Sequence, residues 1–195
     1  MNRREAIRRT AILMGGAVSA PTIMAILKGC KPKPDINWKP SFFNEEQAMV
    51  ITTVSAIILP ATDTPGAKEV GVPAFIEQII HEVYSPEDRE SFMNGLAGFM
   101  KDAELKFNDP FVDLEVEQQT AFVTQVHETA WKEMNDDKNK KSKDSDKPFI
   151  LKMKELTMLG FFTSEVGATK VLQYEQVPGH YFGCRPLSEV GKTWA

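Results

Sequence analysis

The sequence predicts an all-α fold: a single compact bundle of about five to six helices with long ordered loops and one polar insertion. Apolar residues recur three and four positions apart in six segments between residues 44 and 172, which is the spacing of one face of an α-helix. No segment alternates apolar and polar residues over the length of a strand between turns, so a β fold is not expected.

The first three helices are predicted from start and stop signals. Asn44 to Gln47 has the pattern of a capping box, and Pro60 ends the apolar run that follows. Gly71-Val72-Pro73 places a proline in the first turn of the second helix, and Ser85-Pro86 does the same for the third, with Ser85 as its cap. Their inward faces are expected to carry Ala48, Ile51, Val54, Ile58 and Leu59, then Phe75, Ile76, Ile79, Ile80 and Val83, then Phe92, Leu96, Phe99, Met100, Ala103, Leu105 and Phe107.

Three more helices follow along the chain. We expect the fourth from about Leu114 to Met134, the fifth from Phe149 to Gly160 and the sixth from Val166 to Leu172. Residues 135–147 lie between the fourth and fifth and contain no apolar side chain, so they are predicted to be a mobile insertion within one domain. The inward faces of the fourth and fifth helices are expected to carry Val116, Phe122, Val123, Val126, Ala130 and Trp131, then Phe149, Ile150, Met153, Leu156 and Leu159.

Charge is distributed unevenly along the 195 residues. The formal net charge is -4, but residues 1–29 contain five basic side chains and one acidic one. Subtracting these from the totals of 23 basic and 27 acidic residues leaves 18 and 26, or about -8, for the rest of the chain. An acidic body of this kind repels a phosphate backbone, so we do not expect nucleic acid as a partner.

Residues 1–29 have the layout of an export signal. A basic head precedes an uncharged stretch of 18 residues from Thr10 to Leu27. The alternative is a transmembrane anchor, but the glycines, the proline and the hydroxyl groups leave this stretch only moderately apolar. Arg3 and Arg4 resemble the pair of the twin-arginine translocation motif, although Asn2 and Ala6 replace its usual hydroxyl residue and Phe. That resemblance implies a protein that folds, often with a cofactor or a partner, before it crosses the membrane.

The segment after the signal resembles a lipobox. Leu27, Gly29 and Cys30 match the pattern and Lys28 does not. We expect Cys30 to carry a lipid anchor, residues 30–41 to form a solvated tether, and residues 42–195 to form the body. The alternative is an unmodified cysteine, which could form a disulfide with Cys184. If Cys30 is lipidated, Cys184 is either a buried thiol or one half of a bridge to a partner chain.

No motif for catalysis or cofactor binding is present. The chain has no G-x-G pair, no C-x-x-C-H and no G-x-S-x-G. Its histidines, His81, His127 and His180, fall on separate elements, and the pair Glu77 and His81 is typical of a solvated helix face. We therefore assign no catalytic, cofactor-binding or metal-binding residue to this chain.

Two loops differ from ordinary connections between helices. Thr62-Asp63-Thr64-Pro65-Gly66 is predicted to form a rigid turn in which Thr62 or Asp63 holds backbone amides. The second loop contains Pro178, Gly179, His180, Tyr181 and Cys184. Aromatic residues on rigid loops provide contact area at a small entropic cost, so we predict that both loops belong to a partner interface. Each loop taken alone could instead simply close the bundle.

Several of these segments occur together in one order. They are Ile58-Leu59-Pro60 with residues 62–67, residues 72–76, Leu156-Thr157 with residues 160–165, and Tyr174 with residues 178–181. From about Phe42 to Cys184 this order resembles the gluconate 2-dehydrogenase subunit 3 family, and the polar insertion is a departure from it. The resemblance implies a non-catalytic small subunit that accompanies a FAD-dependent sugar or polyol dehydrogenase of the glucose-methanol-choline type, often with a cytochrome c as electron acceptor.

The resemblance also implies a role in export. In such systems the large subunit has no export signal, so the small subunit escorts the folded, FAD-loaded pair into the periplasm. With Cys30 lipidated, it would also hold the pair at the membrane. Two alternatives remain at this point: an autonomous periplasmic sugar-active enzyme that uses Asp63 and His180 as acid and base, and a freestanding ligand-binding lipoprotein.

Overall fold

Six α-helices make up most of the structure, which is a computed structural model that describes residues 36–136, 147–177, 179–180 and 183–195. The helices are α1 (Glu45–Ile58), α2 (Val72–Gln78), α3 (Pro86–Phe107), α4 (Val116–Asp136), α5 (Phe149–Phe162) and α6 (Leu187–Val190). Two short π-helical segments, Ile79–Val83 and Gly167–Val171, follow α2 and α5, and a 3-10 turn spans Phe111–Asp113. The predicted all-α fold is confirmed.

The predicted start signals of α1 and α3 form the expected hydrogen bonds. The backbone N–H of Gln47 donates to Asn44 Oδ1 at 2.8 Å, and the N–H of Asn44 donates to Gln47 Oε1 at 3.1 Å, so the capping box is complete. Ser85 caps α3 by accepting the N–H of Asp88 at 3.1 Å. These local bonds satisfy amides that have no partner within the helix, and they fix where each helix begins.

Helix α5 lies at the centre of the fold and packs against α1, α2, α3 and α4. It is apolar around most of its circumference, as a surrounded helix must be. Its first residue, Phe149, joins a cluster of phenylalanines, with its ring 5.2 Å from Phe92 and 5.5 Å from Phe99. The buried apolar side chains of α5 are Phe149, Ile150, Leu151, Met153, Leu156 and Phe161.

Gly95 lets α3 pack closely against α5. A Cβ at this position would lie 2.7 Å from Cβ of Phe149, whereas a Cβ at Gly98 on the same helix would meet no atom within 4 Å. We expect Gly95→Ala to lower the free energy of unfolding by about 1–3 kcal/mol through overpacking. Gly98→Ala is the matched control and should raise it by about 0.5–1 kcal/mol, because alanine loses less backbone entropy in a helix. Urea denaturation followed by circular dichroism measures both, and equal effects would contradict the proposed contact.

Several residues expected in the core are exposed instead. The π-helical hydrogen bond from Tyr84 N–H to the carbonyl of Ile79 widens the turn after α2 and rotates Val83 off the buried face. Helical spacing places a side chain on a face, but it does not show how far the neighbouring helices cover that face. The exposed fractions are 68% for Val83, 70% for Leu105, 67% for Val116, 49% for Trp131 and 50% for Leu159.

The later elements differ from their predicted bounds. The sixth predicted helix, from Val166 to Leu172, is the short π-helical segment that ends with a bond from Leu172 N–H to the carbonyl of Gly167. At the edges of the predicted insertion, Asn135 and Asp136 are the last residues of α4, and Lys147 forms an ion pair with Glu155 at 2.8 Å. The rest of the insertion, residues 137–146, lies outside the described residues.

The export and lipidation predictions fall outside the described residues, since these begin at Ile36 and therefore exclude Arg3, Arg4 and Cys30. Residues 36–41 belong to the predicted tether, yet Ile36 and Trp38 pack against the core. In the part of the chain that the structure describes, no helix is both long enough and apolar enough to cross a membrane.

Candidate partner interface

The connection between α1 and α2, residues 59–71, folds back tightly on the end of α1. Leu59 N–H donates to the carbonyl of Ser55, and Ala67 N–H donates to the carbonyl of Leu59 at 2.9 Å. Ala67 in turn accepts the N–H of Val72 at 3.0 Å, so the loop leads directly into α2. These bonds hold the predicted turn rigidly between two helices.

Gly66 is required by the close approach of backbone to backbone in this loop. A Cβ at this position would lie 2.5 Å from the nitrogen of Ala61 and 2.7 Å from the carbonyl oxygen of Leu59. Its own N–H donates to Glu69 Oε2 at 3.0 Å. Glu69 holds this amide because the loop curls toward α2 and brings a later carboxylate within reach. Thr62 contributes its backbone N–H, which donates to the carbonyl of Thr64 at 3.0 Å.

The loop and the chain after α5 extend from the same end of the bundle. Phe75 in the first turn of α2 packs on Gly160 in the last turn of α5. A Cβ added to Gly160 would lie 2.6 Å from Cδ1 of Phe75. The loop ends at the start of α2, and the chain after α5 begins beside Gly160. The loop therefore ends, and the chain after α5 begins, within about one helical turn of this contact.

The chain after α5 turns back against the helix end. Ser164 Oγ donates to the carbonyl of Phe161 at 2.6 Å and accepts the N–H of Gly167 at 3.1 Å. Gly167 is the second glycine required by a close approach here, because a Cβ would collide with the carbonyl oxygen of Phe161. The π-helical segment follows this turn and leads into residues 172–195, which we call the tail.

The tail is closed by its own last residues. Gln173 N–H donates to the carbonyl of Thr193 at 2.8 Å, and Ala195 N–H donates to the carbonyl of Gln173 at 3.0 Å, forming one parallel bridge between Gln173 and Trp194. Lys192 Nζ donates to the carbonyl of Lys170 at 2.8 Å. The end of the chain is therefore held against the π-helical segment that follows α5.

Large apolar side chains are exposed at this end. Leu159 is 50% exposed on the last turns of α5, and Tyr174, Val177 and Trp194 of the tail are 57%, 79% and 45% exposed. We call these four side chains the carboxyl-end face. Large apolar side chains left exposed favour a macromolecular contact, since water leaves them when a partner binds.

The predicted interface residues are presented to different degrees. Thr62 and Asp63 are exposed, Thr64 and Pro65 are half-buried, and Gly66 is buried. In the tail, Gly179, His180 and Cys184 are exposed, while Pro178 and Tyr181 lie outside the described residues. Cys184 is a free thiol there. Sequence reasoning did not identify Leu159 and Trp194 as exposed candidates for an interface, because Leu159 has the spacing of a core residue and Trp194 lies beyond the second loop.

Asp63 and His180 do not line the cleft of about 480 Å³ that opens between α1 and α3. That cleft has an apolar floor and a charged rim, made by Asn44, Glu46, Gln47, Val50, Ala97, Met100, Lys101, Glu104, Pro110 and Phe111. Within the described ranges, no three or more His, Cys, Asp or Glu side chains are grouped in a way that could hold a metal ion. The chemistry that the carboxyl-end face offers is apolar contact.

A sequence model of gluconate 2-dehydrogenase subunit 3 matches residues 45–179, which is more than half of the chain. The chain belongs to the gluconate 2-dehydrogenase subunit 3 family. The resemblance predicted from the ordered segments is therefore confirmed, and the matched range contains the 59–71 loop, Leu159 and the first part of the tail. No protein with a curated description and no solved structure matches the chain. Membership in the subunit 3 family implies an accessory subunit of a dehydrogenase complex.

Proposed function

We propose that this chain is a non-catalytic subunit that binds, exports and anchors the large subunit of a FAD-dependent sugar or polyol dehydrogenase of the glucose-methanol-choline type. The observation that carries the proposal is the family match over residues 45–179. Two glycine-dependent turns and the exposed carboxyl-end face support a binding role for the body. FAD would be held by the large subunit, with a cytochrome c as a further partner.

The twin-arginine segment supports the export part of the proposal. A twin-arginine signal on a chain without a cofactor motif is explained if a folded partner that holds the cofactor travels with it. Arg3 and Arg4 would engage that route for both subunits, and a lipid on Cys30 would retain the pair at the periplasmic side of the membrane.

Replacing the arginine pair tests the escort role. In cells that co-express the tagged chain and the dehydrogenase, Arg3→Lys with Arg4→Lys should leave the dehydrogenase, assayed by bound flavin and by dye reduction with sugar, in the cytoplasmic fraction. Arg9→Lys is the control and should leave export unchanged. Normal export of the dehydrogenase by the double variant would refute the escort role.

Purification separates the proposal from its two alternatives. Detergent extraction of the tagged chain should capture a large yellow flavoprotein, and the chain purified alone should be colourless and should not oxidise sugars with a dye acceptor. Turnover by the chain alone would support an autonomous enzyme. Capture of no flavoprotein from cells that contain the dehydrogenase would support a freestanding lipoprotein.

A further inference from the structure

Glu77 on α2 is a buried carboxylate that holds the chain segment preceding α1. Its side chain is 5% exposed. Oε1 accepts the backbone N–H groups of Ser41 at 3.0 Å, Phe42 at 2.8 Å and Phe43 at 2.9 Å. Oε2 accepts a hydrogen bond from the Ser41 hydroxyl at 3.0 Å. It also accepts the backbone N–H of Ser41 at 3.1 Å, so both carboxylate oxygens bind that N–H. Three successive amides therefore converge on one carboxylate that is 34 to 36 positions later in the sequence.

The charge of Glu77 is maintained by these bonds. Burial is the largest single effect and acts to raise the pKa of Glu77, but the backbone N–H groups of Phe43, Phe42 and Ser41 and the Ser41 hydroxyl together more than offset it, so the pKa is lowered. Sequence reasoning treated Glu77 as half of a solvated pair with His81, and that interpretation is wrong. Helical spacing could not show that a distant segment would cover Glu77.

Aromatic contacts hold the same segment from its other side. The Phe43 ring is buried and lies 6.5 Å from Phe92, so it is part of the core. The Phe42 ring packs 5.0 Å from His81 and 6.0 Å from the guanidinium carbon of Arg89. Arg89 is itself fixed, because its Nε donates to the carbonyl of Ile80 at 3.0 Å.

A third contact lies farther toward the amino terminus. Trp38 Nε1 donates to Thr52 Oγ1 at 3.2 Å, and the Thr52 hydroxyl donates to the carbonyl of Ala48 at 2.8 Å. Residues 36–43, which we call the arm, are thus bound to α1, α2 and α3 at separate points. Charge-assisted hydrogen bonds to a buried carboxylate are the strongest of these contacts.

We propose that the arm is a latch that Glu77, as a positioning residue, keeps closed. The latch fixes the residue at which the amino-terminal region leaves the body. It thereby sets the length of chain between the lipid and the body, which we call the membrane leash. This inference rests on the proposed anchoring through Cys30. With the latch closed, only residues 30–35 separate the lipid from the body, and six residues span at most about 20 Å. With the latch open, residues 30–43 would span up to about 48 Å. The closed latch holds the body, and the dehydrogenase that it binds, close to the bilayer.

Hydrogen exchange of the full-length chain tests the latch without reference to the membrane. We expect the amides of Ser41, Phe42 and Phe43 to be protected in the unmodified protein, although Ser41 is exposed, and Glu77→Gln to speed their exchange at least tenfold while α5 stays protected. Glu82→Gln, an exposed acid in the adjoining π-helical segment, is the matched control and should change nothing.

A second variant, Ser41→Ala, tests the latch if Glu77→Gln unfolds the whole chain. Ser41→Ala removes one donor to Glu77 and leaves the three amides in place, so exchange should rise in the arm alone. If Glu77→Gln is folded, unchanged protection of the arm in that variant would overturn the latch. If it is unfolded, unchanged protection of the arm in Ser41→Ala would do so.

The leash is tested in proteoliposomes with a dye on the body. In a Cys184→Ser background, a dye on Asn94→Cys should transfer energy efficiently to acceptor-labelled lipid head groups, and Glu77→Gln should reduce that transfer because the leash lengthens. Equal transfer in both proteins would overturn the proposed control of distance. Cys30→Ser tests the anchor separately: if it leaves the chain in the membrane fraction, the anchoring proposal fails, whereas the exchange result still decides the latch.

Discussion

Gly66→Ala is expected to lower the free energy of unfolding by about 3 kcal/mol, although it only adds one methyl group. This is the largest loss of stability that we expect from a substitution that adds atoms. The new Cβ would lie 2.5 Å from the Ala61 nitrogen and 2.7 Å from the Leu59 oxygen and the Pro60 carbonyl carbon. All three are backbone atoms, and the Leu59 oxygen is held in place by the hydrogen bond from Ala67 N–H. Overpacking against a side chain can be relieved by a change of rotamer, but here the loop itself must move.

Urea denaturation followed by circular dichroism measures this loss. Gly179→Ala is the matched control, because Gly179 also follows a proline in the sequence and its Cβ would meet no atom within 4 Å. We expect a change of no more than about 0.5 kcal/mol for the control, as for most surface substitutions. A loss below about 1 kcal/mol for Gly66→Ala would show that the loop adapts and is less rigid than the structure indicates.

Leu159→Glu is expected to weaken capture of the dehydrogenase about 100-fold, which corresponds to about 2.7 kcal/mol. The substitution places a charge on the carboxyl-end face, where partner binding would remove it from water without a compensating group. Trp194→Ala should weaken capture about tenfold or more, since exposed tryptophans that become buried on binding are frequent hot spots. Titration of the immobilised chain with purified dehydrogenase measures both affinities.

The chain contains a matched control for each of these substitutions. Leu105 on α3 is 70% exposed and Trp131 on α4 is 49% exposed, so Leu105→Glu and Trp131→Ala make the same chemical changes away from the carboxyl end of α5. Both should leave affinity unchanged. If they weaken capture as strongly as Leu159→Glu and Trp194→Ala do, the dehydrogenase binds a different surface. Unchanged circular dichroism spectra would confirm that all four variants are folded.

The local sequence predicted what depends on neighbours a few positions away. The capping box of Asn44 and Gln47 and the Ser85 cap involve groups three residues apart, and both form as expected. The proline signals at Pro73 and Pro86 also hold. What fails is the expectation of regular α-helical spacing in the two π-helical segments, which displaced Val83 and shortened the sixth predicted helix. The wider π-helical turn depends on packing against residues outside the segment, so the sequence of the segment gives little indication of that turn.

The sequence predicted two loops as interface segments, and these stay predictions, but it did not predict that Leu159 on α5 is exposed. The two Pro-Gly turns stood out because turn residues have restricted local geometry. Leu159 has the same spacing as the buried Leu156, and only the arrangement of the neighbouring helices leaves it half exposed. The Glu77 latch was missed for a related reason: its donors, residues 41–43, precede it by more than thirty positions.

The sequence by itself determined the helical class, the helix starts, the acidic body, the expected export signal and, through the order of its loop segments, the family. The tertiary structure alone decided that the start of α2 packs against the last turn of α5, that Leu159 and Trp194 are exposed, and that Glu77 closes on the arm. The physical reason is the distance along the sequence over which each interaction acts. Caps, turns and helical periodicity arise from interactions within a few residues, whereas burial, close glycine contacts and convergent hydrogen bonds depend on which distant segments the folded chain brings together.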